Sequence, residues 1–434
     1  MNILCIGYYD KFSRFFLQIE NELKQQYKGV EISIESTYLS GFLYSSVRRK
    51  SGSWISCNAW CKALKNKSFY KQQILNNAAY KGFDIEQIIE KYTTSSNHNL
   101  RLQLMAYIDI LETKVEKANL ILMIGDLRLP FEVAKKIAEQ KKIPIYHFEQ
   151  GPFSTTLIDK KGVNANASIR GYTNDAPLTS EKQKFVDFFL QKTKSKKYNR
   201  SPIYRGLDYF LEFFLMKTSV FPPDIKINNS IFKKDYHSLN SKQFKPKNLM
   251  GHEKVYLLIT QVPFDVNMTH HSPHYKNHTE ILTNVHENLP NNSILVVREH
   301  PLYKGKYESS FYDYIKKSAN IFVDNNDLYV TLNNVNAVIV NNSTVGLEAI
   351  AHNKAVLTLG NSYYDESNIC LKMYEKKMLK NLLVEVLSYQ PDKVKVINFL
   401  YYFFTEQVVE GYITDSKLIA ASNVLKKISL NYKN

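Results

Sequence analysis

The chain has 434 residues, of which 44% are hydrophobic and 13% aromatic. This composition is typical of a globular protein with hydrophobic cores and excludes a disordered one, and the length allows two domains of roughly 150–200 residues each. The formal net charge is +16, but the basic residues are scattered in KK and KNK groups without an RNA-binding signature, so the charge favours anionic small substrates or an anionic membrane surface over nucleic acid.

Three features predict a cytoplasmic protein. Met1–Gly7 is already a strand and is followed by the polar DKFSR, so no secretory leader is expected. No apolar run approaches the ~20 residues of a membrane span, and Tyr209–Met216, interrupted by Glu212, is interpreted as a core helix over a membrane-dipping one. Four cysteines in a long chain make no disulfide framework, and the CNAWC pair lacks a second pair for zinc: Cys5, Cys57, Cys61 and Cys370.

The amino-terminal half alternates strands and helices. Its predicted strands are Asn2–Gly7, Val30–Glu35, Asn119–Ile124 and Pro144–Phe148. Its predicted helices are Lys11–Gln26, Leu100–Lys117 and Phe131–Gln140. The aromatic, basic and serine-rich segment Tyr38–Ser68 has no clear period, and we expect loops over a binding face there.

The segment Asp175–Met250 has few strand signals and predicts helices plus a connection between domains. Beyond it, strands are predicted at Val255–Thr260, Ser293–Arg298, Ile321–Val323, Ala337–Val340 and Lys354–Leu359. Helices are predicted at His278–Asn288, Ser309–Ser318, Leu328–Asn333 and, as the terminal helix, Val396–Val408. This alternation indicates parallel, doubly wound sheets.

The segment AVIVNNSTVGLEAI carries the strongest site signal. The buried strand Ala337–Val340 ends in two asparagines, Ser343 and Thr344, and a helix follows. Free backbone N–H groups, the positive end of a helix dipole and two hydroxyls suit phosphate oxygens. The alternative is ordinary capping of the helix by Ser343 or Thr344.

Two further strand ends accompany this segment. The strand Ser293–Arg298 runs into Glu299, His300 and Pro301, and Lys354–Leu359 ends in Gly360, which leaves room for a base or ribose. Ligands bind outside the carboxyl ends of strands in open α/β sheets. We therefore predict a nucleotide-phosphate pocket formed by a cation, an imidazole, two hydroxyls and a glycine.

These features predict an α/β, GT-B-like fold with two Rossmann-like domains facing a cleft and a C-terminal helix closing the structure. The predicted boundaries are 1–174 for the amino-terminal acceptor-side domain, 175–250 for a helical or irregular connection, 251–395 for the carboxyl-terminal nucleotide-binding domain and 396–434 for C-terminal helices.

Two more groups of side chains are candidates. Glu149 ends a strand and precedes Gln150, Gly151 and Pro152, which places it at a sharp turn on the functional edge or, alternatively, makes it a salt-bridged or solvated loop acid. A histidine cluster has HxxxH spacing, but Pro273 argues against a regular helix and no carboxylate completes a zinc site: His270, His271, His274 and His278.

The chain resembles the bacterial capsular-polysaccharide β-Kdo transferases, which use the CMP ester of the acidic eight-carbon keto sugar Kdo. The blocks that carry the resemblance, from about Gly125 to Ile413, are GDLR (Gly125–Arg128), FEQG (Phe148–Gly151), GVNANAS (Gly162–Ser168), QVPFD (Gln261–Asp265), REHP (Arg298–Pro301), NNSTVGLEAI (Asn341–Ile350) and GNSYYD (Gly360–Asp365). The chain departs from the family pattern at Arg298, usually a lysine, and at Glu299 and Gln150.

The resemblance implies retaining transfer through two inversions, with Asp265 as nucleophile and Glu149 as base for the acceptor hydroxyl. The alternative for Asp265 is a loop aspartate that caps the next helix. The residues implied to hold the nucleotide are Arg298, His300, Pro301, Asn342, Ser343, Thr344, Glu348 (which alternatively lies on a solvated face) and Gly360. The residues implied to contact the sugar are Gln261, His271 and Gln150.

The implied partners are a CMP-sugar, a phospholipid or glycolipid acceptor, the anionic inner face of the cytoplasmic membrane and other capsule assembly proteins. Neither nucleic acid, nor a metal, nor a cofactor other than the donor CMP-Kdo is expected. Three alternatives remain open: transfer of another CMP-activated acidic sugar, a nucleotide-sugar epimerase, and a non-catalytic polysaccharide export protein. Product analysis with donor alone would distinguish an epimerase from a transferase.

Overall fold

A computed structural model of the chain describes residues 1–49, 52–76, 79–92, 98–191, 198, 200–211, 213, 239, 242–245, 254–263 and 265–432. The strands are β1 Asn2–Gly7, β2 Glu31–Ser36, β3 Ser53–Trp54, β4 Ala79–Tyr80, β5 Phe83–Asp84, β6 Leu120–Ile124, β7 Ile145–Gln150, β8 Thr155–Asp159, β9 Lys254–Ile259, β10 Ser293–Arg298, β11 Ile321–Val323, β12 Ala337–Val340, β13 Ala355–Thr358, β14 Leu371–Lys372 and β15 Val408–Glu410.

The α-helices complete the two units. They are α1 Asp10–Gln26, α2 Leu39–Arg49, α3 Ile55–Lys65, α4 Lys67–Asn76, α5 Ile85–Glu90, α6 His98–Glu116, α7 Leu129–Lys141, α8 Ser180–Leu190, α9 Pro202–Phe210, α10 Val266–Thr269, α11 His278–Glu287, α12 Ser309–Lys317, α13 Leu328–Asn333, α14 Val345–Ala351, α15 Leu379–Glu385, α16 Lys393–Tyr402 and α17 Ile419–Tyr432.

The described residues form two compact units. Unit 1 draws on Met1–Val163, Thr193–Ile227 and Val408–Asn434, and unit 2 draws on Asn164–Lys192 and Asn228–Gln407. Both units are therefore discontinuous in sequence, whereas the domains expected from the sequence are continuous.

Unit 1 contains a seven-stranded sheet in the order β15-β8-β7-β6-β1-β2-β3. The five strands from β7 to β3 are parallel, and β8 and β15 are added antiparallel. The packing of strand β6 explains why all of its residues are apolar. Ile121 and Met123 pack into a core with α6 and α7, while Leu122 and Ile124 pack into a second core with α1 and α17. A parallel strand covered on both faces needs apolar residues at every position.

Unit 2 contains a six-stranded sheet, entirely parallel, in the order β11-β10-β9-β12-β13-β14. Counted within the unit, this is the doubly wound order 3-2-1-4-5-6 of dinucleotide-binding folds. The strand order reverses between β9 and β12, which makes their carboxyl ends the topological switch point. The predicted α/β, GT-B-like fold class with two Rossmann-like domains is confirmed by these two sheets.

The segment Tyr38–Ser68, predicted to form loops, contains the helices α2 and α3 and the start of α4, so this prediction was wrong. The buried face of α3 is formed by Ile55, Ala59 and Ala63, spaced four residues apart and packed in the core that also contains α6. Small alanine side chains give a weak apolar signal, which hides the helical period.

The terminal helix predicted at Val396–Val408 is corrected at its last residue. Helix α16 ends at Tyr402 and a π-helical turn at Phe403–Gln407 continues it, but Val408 begins strand β15, which pairs antiparallel with β8 in the sheet of unit 1. Helix α17 lies within 396–434, the range predicted to hold C-terminal helices, and packs on α1.

The connection expected over 175–250 lies only partly within the described residues, where it contains α8 and α9. Of the run Tyr209–Met216, interpreted as a core helix, four residues are described, and they differ: Leu211 is buried, whereas Phe210 is exposed. Among the helices of the described ranges, none combines the length and the apolar composition that a membrane crossing requires.

Candidate functional site

The carboxyl ends of four neighbouring parallel strands form one edge of the unit 2 sheet. The order β10-β9-β12-β13 places Arg298 and His300 on the same edge as Ser343 and Thr344, with the end of β9 between them. This is the placement expected from the sequence. It concentrates the candidate nucleotide residues at the switch point, where open α/β sheets bind ligands.

The junction between β12 and α14 presents two partly exposed hydroxyls. The Ser343 hydroxyl oxygen accepts a hydrogen bond from the backbone N–H of Val345, at 3.3 Å. Thr344 is the N-cap residue of α14, but its side chain makes no capping hydrogen bond. The capping alternative therefore fits Ser343 and not Thr344. Glu348 lies in the first turn of α14 and is partly exposed.

Two buried amide side chains lie at the switch point. Gln261 is 7% exposed, and neither its Oε1 nor its Nε2 has a hydrogen-bond partner among the described residues. Asn342 is 5% exposed; its Nδ2 donates to the backbone oxygens of Asn267, at 2.8 Å, and His271, at 3.0 Å. These two bonds fix the orientation of the Asn342 amide, and its Oδ1 is left without a partner in the described part of the chain.

The backbone of Gln261 is held from both sides. Its N–H donates to Nε2 of His278, at 3.3 Å, and its carbonyl accepts from the Tyr307 hydroxyl, at 3.1 Å. The Tyr307 oxygen in turn accepts from the Thr260 hydroxyl, at 2.9 Å, and from the His300 backbone N–H, at 3.0 Å. One hydroxyl therefore ties the end of β9 to the end of β10.

Arg298 occupies a different environment from the one its predicted role suggests. Its guanidinium donates to the buried carboxylate of Asp324 and, at 2.9 Å, to the backbone oxygen of Asn326. The counter-charge of Asp324 neutralises Arg298 locally. His300 accepts at Nδ1 from the Leu302 backbone N–H, at 3.3 Å, and Pro301 is exposed.

Gly360 packs against protein groups. An ideal Cβ at this position would lie 2.6 Å from Oδ1 of Asn341 and 2.7 Å from the backbone oxygen of His271. The space beside its α-carbon is thus occupied, which corrects the expectation that Gly360 leaves room there for a base or ribose. The space is filled because the loop that contains Gly360 lies against the backbone of His271. The Asn361 N–H donates to the His271 backbone oxygen, at 2.8 Å.

Asp265 begins the short helix α10. Its carboxylate accepts from the Val266 backbone N–H, at 2.7 Å, and from Nδ2 of Asn267, at 3.4 Å. The capping role that the sequence left as an alternative is therefore present. A capping carboxylate is oriented by its donors. This orientation is compatible with the nucleophile role that the resemblance implies for Asp265. Phe264, within the QVPFD block, lies outside the described residues.

The histidine cluster is spread over a loop. Helix α10 ends at Thr269, His270 and His271 follow it, and His278 opens α11, in agreement with the break expected at Pro273. Within the described ranges there is no group of three or more His, Cys, Asp or Glu side chains arranged to hold a metal ion.

In unit 1, Glu149 and Gln150 end strand β7 at the carboxyl edge of that sheet. The Glu149 carboxylate accepts from the Gln150 backbone N–H, at 2.9 Å, and Gln150 Oε1 accepts from the Thr414 hydroxyl, at 3.4 Å. The sharp turn expected here depends on Gly151, where a Cβ would lie 2.5 Å from the Thr155 hydroxyl oxygen. Both side chains are partly exposed.

Tyr8, which the sequence interpretation did not single out, lies near Glu149. Burial raises the pKa of the Tyr8 hydroxyl, the Arg128 cation lowers it, and the Glu149 charge raises it. The Arg128 guanidinium lies over the Tyr8 ring, 4.9 Å from its centroid. A tyrosine, a cation and a carboxylate thus share the carboxyl edge of unit 1.

Three other residues at the edge of unit 2 were missed. The Tyr364 hydroxyl donates to the backbone oxygen of Ser343, at 2.5 Å, and Arg170 pairs with the Asp365 carboxylate, at 2.9 Å. Tyr307 is the third. The sequence carries no local signal of such contacts, even for Tyr364 within the GNSYYD block, because each contact joins segments distant in sequence.

Comparison with known families decides the membership of the chain. Residues 119–373 match the model of the family described as capsule polysaccharide biosynthesis protein. The chain belongs to this family. The matched range begins just before β6, includes Glu149, and extends through β14 of the unit 2 sheet.

The chain shares low sequence identity with individual proteins that it resembles. The chain is 30% identical to Protein FixF of Sinorhizobium fredii over 174 residues, 39% of this chain and 42% of FixF. It is 26% identical to the capsule polysaccharide export protein KpsS of Escherichia coli over 267 residues, 56% of this chain and 68% of KpsS. The chain therefore spans less than half the length of FixF. The solved β-Kdo 2,7 transferase KpsC of Thermosulfurimonas dismutans is 14% identical, with a TM-score of 0.37 over 80% of this chain and 96% of that one.

Proposed function

We propose that this chain is a glycosyltransferase that moves Kdo from CMP-β-Kdo to a lipid or glycolipid acceptor. The proposed reaction proceeds with retention and produces a β-Kdo linkage in capsule or surface polysaccharide biosynthesis. The observation that carries the proposal is the set of buried, unpaired amide atoms of Gln261 and Asn342 at the switch point of a doubly wound sheet. Buried polar atoms of a native protein normally have partners, so unpaired ones at this edge indicate a ligand.

In this proposal, unit 2 binds the nucleotide. The phosphate lies against the hydroxyls of Ser343 and Thr344 and the imidazole of His300, which stabilise the charge of the departing CMP. Glu348 accepts hydrogen bonds from ribose hydroxyls. The remaining nucleotide contacts are assigned to Arg298 and Pro301, with Arg298 acting at longer range because Asp324 already pairs with it.

The first chemical step forms a bond between the enzyme and the sugar. A carboxylate oxygen of Asp265 attacks the anomeric carbon of Kdo while the bond from that carbon to the phosphate oxygen breaks and its electron pair leaves with CMP. The product is a glycosyl ester of inverted configuration. The two N–H groups that bond to Asp265 support this role, because they orient the carboxylate.

The second step releases the enzyme. The acceptor hydroxyl oxygen attacks the same carbon, Glu149 takes the hydroxyl proton, and the bond to Asp265 breaks with its electron pair returning to the carboxylate. Two inversions give net retention. Gln150 and His271 are proposed to contact the acceptor or donor sugar.

The proposal includes no metal and no cofactor other than the donor. It also includes binding of the chain to the anionic inner face of the cytoplasmic membrane, supported by the net charge of +16, and contact with other capsule assembly proteins.

One experiment tests the reaction. The protein is incubated with CMP-Kdo and a panel of phospholipid and glycolipid acceptors, and the products are identified by mass spectrometry, with the anomeric configuration assigned by NMR. A β-linked Kdo on an acceptor is expected. An altered free nucleotide sugar formed from donor alone would instead identify an epimerase, and the absence of any product with every acceptor, together with no CMP binding, would reject the proposal.

A further inference from the structure

The resemblance already implies that Gln261 contacts the donor sugar. We propose that Asn342 joins Gln261 in recognising this acidic, polyhydroxylated sugar, and that Tyr307 and His278 are positioning residues that hold Gln261 for this purpose. This inference rests on the proposed function and names the part of the ligand that the switch point recognises.

The chemistry of the unpaired atoms selects the ligand group. Gln261 offers an NH2 group with two N–H donors and one acceptor oxygen, and Asn342 offers a second acceptor oxygen because its own donors are used on the protein. A phosphate group at neutral pH supplies acceptors almost exclusively, so two amide oxygens facing it would be unsatisfied. A sugar acid supplies both kinds of partner, since its hydroxyls donate to the amide oxygens and its carboxylate accepts from Gln261 Nε2.

The register of the sheet places Gln261 and Asn342 at matching positions beyond adjacent strands. Ile259 of β9 is paired with Val340 of β12, so Gln261 and Asn342 each lie two residues beyond that pair on adjacent strands. Both amides are more than nine-tenths buried. An amide pair at this depth is costly to leave unsatisfied, because burial removes its hydrogen bonds to water.

Contacts with the Asp265 segment assign the Asn342 amide to the sugar and not to the base. Asn342 Nδ2 donates to the backbone oxygen of Asn267, and Asn267 Nδ2 donates to the Asp265 carboxylate. The proposed nucleophile must approach the anomeric carbon, so groups tied to its segment face the sugar end of the donor.

Tyr307 and His278 restrict Gln261 through its backbone. The Tyr307 hydroxyl donates to the Gln261 carbonyl, and His278 Nε2 accepts from the Gln261 N–H. Burial lowers the pKa of His278 to about 3, so the imidazole is neutral and its Nε2 can accept. With both backbone groups fixed, the Gln261 side chain leaves the strand in one direction, which lowers the entropy lost on binding.

Calorimetry with two probes, CMP and CMP-Kdo, tests the assignment without requiring turnover. Gln261→Leu keeps the approximate size of the side chain and removes its hydrogen bonds. We expect its affinity for CMP-Kdo to fall about tenfold or more, with CMP affinity unchanged within about twofold. Gln261→Glu should weaken CMP-Kdo binding further, because its carboxylate meets the sugar carboxylate.

The positioning role is tested by a double-mutant cycle. Tyr307→Phe should weaken CMP-Kdo binding selectively, and adding Gln261→Leu to it should cost less than Gln261→Leu costs alone. Tyr256→Phe is the matched control: it also removes one buried tyrosine hydroxyl of unit 2, which donates to the Leu383 carbonyl, and should leave both affinities unchanged. Thermal unfolding of each variant checks that it is folded.

The outcomes separate the two proposals. Equal losses for CMP and CMP-Kdo, or no loss in Gln261→Leu and Tyr307→Phe, would overturn the sugar assignment while leaving the transferase proposal intact. Selective loss of CMP-Kdo binding in a protein that transfers no sugar would support the assignment and reject the transferase. If the unmodified protein binds CMP-Kdo no more tightly than CMP, the sugar adds nothing and the assignment is rejected.

Discussion

Arg298 and Asp324 form an ion pair across the ends of β10 and β11, in which the carboxylate is fully buried and the guanidinium partly exposed. Asp324→Asn would leave Arg298 without its counter-charge. Removing one partner of a fully buried pair costs about 3–5 kcal/mol, and the partial exposure of Arg298 lowers our expectation to about 1–3 kcal/mol in the free energy of unfolding. Urea denaturation measures this loss.

The matched control for Asp324→Asn is Glu375→Gln. Glu375 pairs with Lys377 at 2.6 Å, but both side chains are largely exposed. Exposed pairs contribute about 0–1 kcal/mol, so this variant should unfold nearly as the unmodified protein does. Equal losses in the two variants would show that the Arg298 pair does not anchor this edge of the sheet.

Two glycines of ordinary backbone conformation should respond oppositely to alanine. Gly360→Ala places a methyl group within 2.7 Å of two oxygens, so the loop after β13 must shift, and overpacking of this kind costs about 1–3 kcal/mol. Gly206, inside α9, has no described atom within 4 Å of an added Cβ, and Gly206→Ala should stabilise by up to about 1 kcal/mol. Thermal unfolding of both variants compares them. Equal stability of Gly360→Ala and the unmodified protein would contradict the close packing.

Much of the fold could be predicted because parallel strands covered on both faces appear as continuous apolar runs. Ala337–Val340 and Ser293–Arg298 were bounded correctly on this basis, and their carboxyl ends placed Ser343 and His300 on one edge. Strand β15 could not be predicted in this way. Val408 continues an apolar run that begins in a helix, and only its pairing with Leu157, distant in sequence, makes it a strand.

The candidate site shows the same division. Polar residues that directly follow strands, such as Gln261 and Asn342, could be selected from the sequence. The residues that hold them could not, because Tyr307 reaches Gln261 from a separate loop and His278 from the start of another helix. The partner of Arg298 was missed for the same reason: the Asp324 carboxylate follows a different strand.

The phosphate assignment predicts losses of CMP affinity in His300→Ala and Ser343→Ala. A charge-assisted hydrogen bond contributes about 1.5–3 kcal/mol, so each variant should bind CMP about tenfold or more weakly in calorimetry. Ser318→Ala is the control, because its hydroxyl donates to the Tyr314 carbonyl after α12, away from the carboxyl edge. Unchanged CMP affinity in both His300→Ala and Ser343→Ala would reject the assignment.

The net charge of +16 predicts salt-sensitive binding to anionic lipid. Exposed charges are screened beyond about 8 Å at physiological ionic strength, so binding to vesicles that contain phosphatidylglycerol should be strongest at low salt and should fall as salt is added. Flotation of the protein with anionic and neutral vesicles measures the preference. Equal recovery with both kinds of vesicle at low salt would remove this expectation.

Substitutions of the two proposed catalytic carboxylates should impair different half-reactions. Asp265→Asn should abolish sugar transfer and leave CMP affinity nearly unchanged, because the nucleophile acts on the sugar carbon. The asparagine can still accept the Val266 N–H bond that caps α10, so the local structure should persist. Near-normal turnover in this variant would rule out the double displacement at Asp265.

Glu149→Gln should slow the second half-reaction more than the first, since the acceptor hydroxyl loses its proton acceptor. General-base assistance typically contributes about 10²–10⁴-fold, so turnover should fall by a factor in that range.

The glycosyl ester on Asp265 should accumulate when the Glu149→Gln variant is mixed with CMP-Kdo. Intact-protein mass spectrometry detects the added mass, and peptide mapping locates it. The double variant Glu149→Gln/Gln150→Glu is a useful companion, because it moves the carboxylate one residue along β7 and so tests whether the position of the base matters. A Glu149→Gln variant that turns over at the normal rate would return Glu149 to the alternative of a loop acid, and an adduct on a residue other than Asp265 would reassign the nucleophile.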